Sequence, residues 1–592
     1  MGILAVRSVS LSDGDVASMR DRMAHRGPDG AGMWKGGKVV LGHRRLAVVD
    51  TSEAAGQPMG DGRYVLVYNG ELYNDAELRA ELGGTFRTAS DTETVLRVLA
   101  RWGPAGLSRL RGMFALGLYD TLEGTLLLAR DPMGIKPLYY WVGGTRDGMT
   151  LVFASEPTAI LAHPDVRAEP DLVAMSAYLT TIRTVMGERT LFEGVRTLRP
   201  GQAVVVEAGG DEIAVRAAGM GRVAADFVVD PKVVGLCIRD SVERHLRSDV
   251  PLCCLLSGGL DSSIVASVAM RKLGALSTYC SGATGGDDFR FARVVADQLK
   301  TRHTDAPVTR EMFAARWPEM VREMGTPLST PNEVAINHIA RELRRDGNVV
   351  TLSGEGADEL FAGYDIPMLD AARFEGLLPR DAGAAWAGAT HAGEFQLLAN
   401  AWVSPAIKPA ILTEDVWKAV ERDHGLFEFY RTEFDAVRDE RDDDTPVQAH
   451  LRFHRRINLA GLLQRLDTAT MLASVEGRTP FADRVVCELA ESLGMDEKFG
   501  VNAAGGAETK RILRSAFAGE LPAEVVARPK ASFPLPFQEW AVDQAAVLRG
   551  STFAAAVFTP AAVESVASDP ARAWQFAWPM MNLAMWGDRW WG

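Results

Sequence analysis

The sequence predicts two domains, a sheet-rich α+β domain followed by an α/β domain built on a doubly wound parallel sheet. In residues 1–205, short β-type runs alternate with glycine-containing turns, and helical segments are few. From about residue 230, apolar strands alternate with helices, as in a parallel sheet with crossover helices. The 592 residues are 47% hydrophobic and 24% charged, which excludes a mainly disordered or fibrous protein.

Strands and a few helices fill the first domain, which we place at residues 1–210. The β-type runs predict strands at 38–41, 64–68, 125–129 and 202–206. Helical patterns predict helices over 75–82, 92–102 and 171–180. Alanine, glycine and mixed charges then replace the β pattern, so we predict a linker over 211–228.

The second domain, predicted at residues 229–592, begins with a regular alternation of helices and strands. In order, the patterns predict a helix at 233–247, a strand at 250–256, a helix from about 262, a strand at 275–280, helices at 289–300 and 338–345, and a strand at 348–352. Beyond about residue 365 the pattern is mostly helical. Parallel strands carry their ligand loops at their C-terminal ends, so a site is expected after 250–256 and 348–352.

The charge of the chain argues against general binding to polyanions. A formal net charge of -13 gives no overall attraction to DNA, RNA or anionic membranes, so any phosphate site must be local. No apolar run reaches the roughly 18 residues of a membrane span, and the N-terminal residues do not resemble a signal peptide. The five cysteines are sparse and lack metal-ligand spacing, which favours a reducing compartment. We therefore expect a cytoplasmic protein with no nucleic-acid or membrane partner.

A loop rich in glycine and serine, SGGLDSS at residues 257–263, follows an apolar strand and opens a helix. Glycines let backbone N–H groups approach phosphate oxygens, and the helix N-terminus adds partial positive charge. The hydroxyls of Ser257, Ser262 and Ser263 can also donate to phosphate. Asp261 is unusual in an anion site unless it holds a cation, which suggests Mg²⁺ on pyrophosphate. The plain alternative is a capped glycine turn without a ligand.

A second loop, SGEGADE at residues 353–359, follows the second predicted site strand. Because neighbouring strand ends lie together, Asp358 is expected near Asp261, and the two carboxylates could share one Mg²⁺. Glu355 could act as a general base or orient a nucleophile. Alone, this segment could equally be an acidic surface turn.

Both loops resemble those of a known enzyme family. SGGLDSS is similar to the PP-loop of the N-type ATP pyrophosphatases, and together with SGEGADELFAGY it resembles the synthetase domain of asparagine synthetase. Segments at 466–472, 476–481, 510–514 and 528–533 extend the resemblance. It implies an adenine nucleotide α-hydrolase-like sheet with added helices, and ATP and Mg²⁺ as cofactors. The ATP-binding residues that it implies are Leu256, Ser257, Gly258, Gly259, Asp261, Ser262, Ser281, Ser353 and Gly354.

The same resemblance implies a reaction. In that family a substrate carboxylate attacks the α-phosphate of ATP, which gives an acyl-adenylate and pyrophosphate, and ammonia then converts the acyl-adenylate to an amide and AMP. Lys530 matches the lysine that stabilises charge on the phosphates, a task suited to a point charge. Glu355 matches the residue that assists the attack of ammonia.

The first domain resembles the class II glutamine amidotransferase domain. The resemblance is carried by HRGPDG at 25–30, HRRLAVVD at 43–50, YNGELYN at 68–74, SDTE at 90–93 and DPMGIKPLYY at 131–140. It implies an Ntn-type αββα sandwich of antiparallel sheets. It also implies that Arg45 binds the glutamine carboxylate and Asp91 its ammonium. Asn69 and Gly70 match the oxyanion hole, and Glu71 lines the pocket.

The nucleophile departs from that pattern. The family begins Met-Cys-Gly-Ile, and its cysteine attacks the glutamine amide with its own amino group as base. This chain reads Met1-Gly2-Ile3-Leu4, and no cysteine precedes Cys237. We therefore predict that the chain can bind glutamine but cannot hydrolyse it, so that free ammonia is the nitrogen donor. Because every glutamine-contacting position keeps the expected residue type, a recent, engineered or recording-level deletion is favoured over a natural loss, and a structural role for these residues is the plain alternative.

The acid that accepts the nitrogen is the least defined partner. Residues 325–333 (GTPLSTPNE) lie where the family shapes its acceptor pocket, and they depart from the forms associated with aspartate amidation. Aspartate is the default acceptor, and a dedicated natural-product acid is the alternative. Ring closure as in β-lactam synthetase is disfavoured because that enzyme has tyrosine in place of Glu355. Intact Asp261, Asp358 and Lys530 disfavour a non-catalytic binding protein.

Two further expectations concern packing and assembly. Tryptophans crowd the last twenty residues, and spacing by four favours packing of a helix on the core over stacking on nucleic acid. They are Trp574, Trp578, Trp586, Trp590 and Trp591. The chain could form a homodimer.

Overall fold

The computed structural model describes residues 2–7, 12–37, 39–145, 148–209, 212–218, 229–441, 444–503, 505–530 and 535–592. Antiparallel strands dominate its first domain. They are β1 (Gly2–Arg7), β2 (Gly30–Gly36), β3 (Val39–Arg45), β4 (Met59–Gly60), β5 (Tyr64–Leu72), β6 (Gly112–Asp120), β7 (Thr125–Arg130), β8 (Tyr139–Thr145), β9 (Gly148–Ala154), β10 (Val185–Met186), β11 (Arg189–Thr190), β12 (Val195–Thr197), β13 (Ala203–Gly209) and β14 (Glu212–Ala218).

These strands form two sheets that pack face to face. The eight-stranded sheet has the order β10-β11-β12-β8-β9-β1-β3-β2, and the six-stranded sheet has the order β14-β13-β7-β6-β5-β4. Alternation along β5 explains the layers, because Val65 and Val67 face the other sheet, whereas Leu66 and Tyr68 face outward to a helical layer.

Helices cover both outer faces of this sandwich. They are α1 (Asp13–Asp21), α2 (Asp75–Leu82), α3 (Asp91–Trp102), α4 (Pro157–Ile160) and α5 (Leu172–Thr181). Helices α2 and α3 pack on the six-stranded sheet, and α1, α4 and α5 pack on the eight-stranded sheet. The predicted αββα sandwich is therefore confirmed.

The predicted linker needs a correction at its start. Residues 212–218 pair with β13 in antiparallel register and extend the six-stranded sheet as β14. Alternating residues such as Ile213 and Val215 provide a β pattern that the neighbouring alanines and glycines obscure. The remainder of the predicted linker, 219–228, lies outside the described residues.

The second domain is built on a parallel sheet of five strands. The strands are β15 (Leu252–Leu255), β16 (Ser277–Ala283), β17 (Arg302–Val308), β18 (Val350–Leu352) and β19 (Glu476–Arg478), in the order β17-β16-β15-β18-β19. All four pairings are parallel, which confirms the predicted α/β class. The order reverses at β15, so the loops after β15 and β18 meet at a topological switch point.

A separate hairpin pairs β20 (Phe499–Val501) with β21 (Ala507–Thr509).

Helices make up most of the rest of this domain. They are α6 (Pro231–His245), α7 (Leu260–Leu273), α8 (Asp287–Leu299), α9 (Arg310–Met324), α10 (Asn332–Arg345), α11 (Ala357–Phe361), α12 (Asp365–Phe374), α13 (Ala392–Ala399), α14 (Lys408–Ile411), α15 (Glu414–Ala419), α16 (His424–Arg438), α17 (Pro446–His454), α18 (Ala460–Met471), α19 (Arg484–Ser492), α20 (Met495–Lys498), α21 (Arg511–Phe517), α22 (Ala523–Ala527), α23 (Phe537–Trp540), α24 (Ala545–Gly550), α25 (Thr552–Val557), α26 (Pro560–Ser568) and α27 (Trp574–Trp591). None of the helices in the described part of the chain combines the length and apolar character needed to cross a membrane.

Buried ion pairs join the two domains. The guanidinium of Arg26 donates to Glu156 (3.2 Å) in the first domain and to Asp467 (2.6 Å) in the second. The ammonium of Lys136 lies 2.8 Å from the other oxygen of Asp467. The Arg26, Lys136 and Asp467 side chains are almost completely buried, so this interface lies inside a common core.

Candidate active site

The loop after β15 has the geometry of an anion site. Gly258 has a φ of +67°, and a Cβ there would lie 2.4 Å from the backbone nitrogen of Ala292, so this position requires glycine. Gly259 is the N-cap of α7, and no side chain caps the helix. The first N–H groups of α7 are therefore available to an anionic ligand.

Serine hydroxyls hold this loop in shape. The Ser257 N–H donates to the Ser262 hydroxyl at 3.2 Å, and the Ser263 hydroxyl donates to the carbonyl of Gly259 at 2.7 Å. Leu256 has its side chain in the hydrophobic core, so only its backbone could contact a nucleotide. Ser281 lies at the end of the neighbouring strand β16, where its hydroxyl donates to the carbonyl of Ala306.

The loop after β18 touches the first loop. A Cβ at Gly354 would lie 2.8 Å from the Cβ of Asp261 and 2.9 Å from the backbone nitrogen of Ser262. The neighbouring Ser353 N–H donates to the carbonyl of Arg478 at the end of β19. Glycine at position 354 therefore lets the two predicted ATP loops form a single surface.

Two lysines and two aspartates alternate beside these loops. The ammonium of Lys510 lies 2.5 Å from Asp261 and 2.6 Å from Asp358, and the ammonium of Lys530 lies 2.5 Å from the other oxygen of Asp358. Burial alone would raise the pKa of Asp358, but Lys510 and Lys530 outweigh it and hold that pKa at about 2. Burial raises the pKa of Asp261 above its ordinary value.

The aspartates of this cluster fit part of a magnesium site. Carboxylate oxygens are preferred ligands of Mg²⁺, and Oδ1 of Asp261 is buried without a hydrogen-bond partner. Nowhere in the described ranges do three or more His, Cys, Asp or Glu side chains form a group that could hold a metal ion. Asp261 and Asp358 would therefore need phosphate or water oxygens to complete the coordination of Mg²⁺.

Glu355 lies at the edge of the cluster, against a partly buried arginine. The Arg465 guanidinium donates to Glu355 at 2.9 Å and to the hydroxyl of Thr330 at 3.2 Å. Glu359, one helical turn further on, accepts from the Tyr364 hydroxyl at 2.6 Å. Burial and the nearby charge of Asp358 raise the pKa of Glu359 to about 7. Glu355 is thus fixed in place while remaining partly accessible.

The predicted glutamine-binding residues converge in the first domain. Arg45 donates to the carbonyls of Asp50 and Ser52, which orients its guanidinium. Gly70 lies so close to β6 that a Cβ would come within 2.2 Å of the carbonyl of Met113. Asn69 is fully buried, and its Oδ1 has no hydrogen-bond partner.

Two of the predicted glutamine-binding residues are acidic. Asp91, at the start of α3, accepts from the Leu72 N–H at 2.9 Å, and burial raises its pKa to about 6. Glu71 is buried and pairs with Arg478 of the second domain at 3.2 Å. Arg478 therefore contacts both Glu71, a predicted glutamine-binding residue, and Ser353, a predicted ATP-binding residue.

The elements that carry the cysteines differ from the strand that carries Gly2. Gly2 is in β1, in register with Arg44 of β3. Cys237 is on α6, Cys253 and Cys254 are on β15, Cys280 is on β16 and Cys487 is on α19. Every thiol therefore belongs to the second domain.

A cavity of about 1170 Å³ lies between the domains. Its wall includes Ser155, whose hydroxyl accepts from the Asn69 side chain at 3.5 Å on the glutamine side. On the other side the wall includes Glu359 and Arg465, beside Asp358 and Glu355. The cavity thus connects the surroundings of both candidate sites.

Several residues at these sites received no role from the sequence. Lys510 lies in a segment that carries the resemblance, yet its place between two aspartates depends on the folded structure. The contacts of Arg465, Arg478 and Glu359 likewise depend on the folded structure. For Arg465, a basic residue near Leu463 and Leu466 is the sequence signal that could have identified it.

Two family models match this chain. Residues 1–215 match the glutamine amidotransferase domain, and residues 235–588 match asparagine synthase. The chain is 32% identical to glutamine-hydrolysing asparagine synthetase 1 of Bacillus subtilis (strain 168), over 89% of this chain and 84% of that protein. It is 31% identical to glutamine-hydrolysing asparagine synthetase 3 of the same strain, over 87% and 83%. With the glutamine-hydrolysing asparagine synthetase B of Escherichia coli (strain K12) the identity is 33%, over 58% and 60%.

Proposed function

The chain belongs to the asparagine synthase family of ATP-dependent amide ligases, and we propose that it adenylates a carboxylic acid and transfers ammonia to the acyl-AMP. The products are an amide, AMP and pyrophosphate. Aspartate is the default acid, which makes asparagine the default product. The alternating cluster of Asp261, Lys510, Asp358 and Lys530 at the glycine loop carries this proposal, because it combines cations for phosphate with carboxylates for a metal ion.

The first step places negative charge beside these cations. The acid's carboxylate oxygen attacks the α-phosphorus, and the bond to the β-phosphate oxygen breaks as pyrophosphate leaves. The N–H groups at the start of α7 and the ammonium of Lys530 can stabilise the charge that develops on the phosphates. Mg²⁺ held by Asp261 and Asp358 would neutralise the leaving pyrophosphate.

The second step needs a group that accepts a proton. Ammonia attacks the acyl carbon, the bond to the AMP oxygen breaks, and the attacking nitrogen loses one proton. Glu355 matches the family residue with this task, and the Arg465 guanidinium donates a hydrogen bond to it. We infer that Glu355 orients ammonia and receives that proton.

Glutamine hydrolysis is excluded from our proposal because the first 236 residues contain no cysteine. The pocket nevertheless retains Arg45, Asn69, Gly70, Glu71 and Asp91. We propose that it binds glutamine without cleaving it and that ammonia enters from solution. A natural-product acid remains the alternative acceptor, because residues 325–333 depart from the forms associated with aspartate amidation.

An ATP–pyrophosphate exchange assay tests the first step. Purified chain is incubated with ATP, Mg²⁺ and labelled pyrophosphate, together with aspartate or with each acid of a panel. We expect exchange that depends on one acid, and an Asp261→Asn variant should lose at least about 100-fold in rate. Formation of AMP and the amide from ammonia then tests the second step. Failure of every acid to support exchange would favour a binding protein instead.

A glutaminase assay tests the nitrogen source. We expect the chain to release no glutamate from glutamine above background. A variant with one cysteine inserted between Met1 and Gly2 is the positive control, and it should gain hydrolysis if the rest of the pocket is competent. Clear turnover by the unmodified chain would contradict the proposal.

A further inference from the structure

The acceptor loop, defined as residues 325–333, covers the connection between α9 and α10 and the first two residues of α10, and it forms part of the cavity wall. Ser329, Thr330 and Glu333 all line the cavity. The Thr330 hydroxyl accepts from the same Arg465 guanidinium that donates to Glu355. The acceptor loop and Glu355 are therefore linked through Arg465.

The C-terminal helix α27 holds this loop by hydrogen bonds to its backbone. The Trp578 indole N–H donates to the carbonyl of Ser329 at 3.1 Å, and the Trp590 indole N–H donates to the carbonyl of Gly325 at 3.0 Å. Between them, Oδ1 of Asn582 accepts from the Leu328 N–H at 3.1 Å. Positions 578, 582 and 590 lie four and eight residues apart, so they share one face of the helix.

These contacts are more specific than the packing of an apolar helix. Trp578 and Asn582 are fully buried, and Trp578 stacks on Trp317 with ring centroids 4.4 Å apart. Gly325 has a φ of +66°, and a Cβ there would lie 3.1 Å from the Trp590 ring. Trp586 provides the contrast, because it is equally buried on the same helix but its indole nitrogen has no hydrogen-bond partner.

We propose that α27 is a positioning element for the acid-binding pocket. Trp578, Asn582 and Trp590 fix the backbone of the acceptor loop, and the loop then presents Ser329, Thr330 and Glu333 to the acid beside Glu355. Tyr178 of the first domain adds a further hydrogen bond, to the carbonyl of Leu328. This proposal rests on the proposed function, because it assigns the loop to the acid.

Two substitutions that replace an indole by a smaller aromatic ring without an N–H group test this role, and the control variants match the loss of volume. Trp578→Phe and Trp590→Phe each keep an aromatic ring but lose the hydrogen bond to the loop. Trp586→Phe is the matched control for the buried position. Trp591→Phe is the matched control for the partly exposed one, since its indole donates to Ala168 outside the loop. Each variant is assayed by ATP–pyrophosphate exchange with the acid preferred by the unmodified chain.

We expect Trp578→Phe and Trp590→Phe to raise the KM for the acid about fivefold to tenfold, the effect of losing one hydrogen bond. The KM for ATP should stay within about twofold, since the glycine loop is not touched. Both control variants should retain the KM values of the unmodified chain.

Equal KM values for the acid in the test and control variants would overturn this inference, provided that thermal unfolding shows the variants folded. If Trp578→Phe does not fold, Trp590→Phe decides alone, because that side chain is partly exposed. An unmodified chain without exchange for any acid would instead overturn the proposed function. The two failures are therefore distinguishable.

Discussion

Lys510 is the residue around which the charges of the candidate ATP site are arranged. Its ammonium bridges Asp261 and Asp358, which would otherwise face each other as two buried carboxylates. Its backbone has a φ of 53°, a left-handed conformation that is uncommon outside glycine. Such positions concentrate at functional sites, which agrees with a role for Lys510 beyond packing.

Replacing Lys510 should impair adenylation. In Lys510→Met, the two aspartates lose the cation between them, and one of them is expected to take up a proton. We expect the rate of ATP–pyrophosphate exchange to fall about 100-fold or more. Lys272→Met is the control, since Lys272 pairs with Glu243 at the exposed surface. A Lys510→Met rate within twofold of the control would show that the bridge is dispensable.

Asp91 should make glutamine binding depend on pH. Burial raises the pKa of Asp91 to about 6, so the carboxylate is charged above that pH and becomes neutral below it. A neutral Asp91 cannot balance the ammonium of glutamine. We therefore expect the Kd for glutamine to rise about tenfold per pH unit below pH 6, measured by calorimetry.

An Asp91→Asn variant provides the control for this titration. It should bind glutamine weakly at all pH values, without the change near pH 6. The role of Asp91 would be contradicted if the Kd for glutamine of the unmodified chain did not change with pH, or if it changed in the same way in Asp91→Asn.

At the scale of single residues, the sequence reveals groups whose task is local. The hydrogen bonds that shape the loop at 257–263 join residues of the loop itself, so the local motif is enough to predict the loop. Lys510 and Arg465 act on partners 249 and 110 positions away. Their partners depend on the tertiary fold, which no local pattern specifies.

At the scale of elements, the switch point of the parallel sheet creates the site. Strand β15 lies between β16 and β18, so the loops after β15 and β18 adjoin each other. Gly354 sits where they meet. The close approach of these two loops therefore depends on the absence of a side chain at that position.

A methyl group at Gly354 should separate the two loops. In Gly354→Ala, the new Cβ would lie 2.8 Å from Asp261 and would force one loop to move. We expect the KM for ATP to rise at least about tenfold, since binding depends on both loops. Gly425→Ala is the control, because a Cβ there meets open space. Unchanged ATP kinetics in Gly354→Ala would mean that the loops act independently.

Elements with a clear local pattern were predictable, and elements without one were not. The helix predicted at 92–102 is observed as Asp91–Trp102, and the strand predicted at 348–352 as Val350–Leu352. Strand β19 has only three residues within a mostly helical region, and it is extended because it pairs with β18. Such pairing energy is non-local, so neither β19 nor Arg478 at its end could be predicted.

At the scale of the whole molecule, the buried interface makes the two domains one unit. Asp467 accepts from both Arg26 and Lys136, and these cations outweigh burial to hold the pKa of Asp467 far below its ordinary value. Removing one member of such a group leaves uncompensated charge away from water.

Loss of the Asp467 charge should destabilise the whole chain. In Asp467→Asn, Arg26 and Lys136 keep their positive charges in a buried site. We expect the free energy of unfolding, measured by denaturant titration, to fall by about 3–5 kcal/mol. Glu414→Gln at the exposed surface is the control and should leave the transition midpoint unchanged. If Asp467→Asn and Glu414→Gln unfold at the same denaturant concentration, the buried ion pairs do not stabilise the chain.

The same interface sets a condition for chimeric enzymes. A replacement first domain, for example one that carries the cysteine nucleophile, would meet Asp467 as a fixed anion of this synthetase domain. If the donor domain lacks basic residues at the positions of Arg26 and Lys136, the Asp467 carboxylate is left buried at the domain interface without a neutralising cation. Compatible donors can therefore be selected by charge at two positions before any overall sequence similarity is considered.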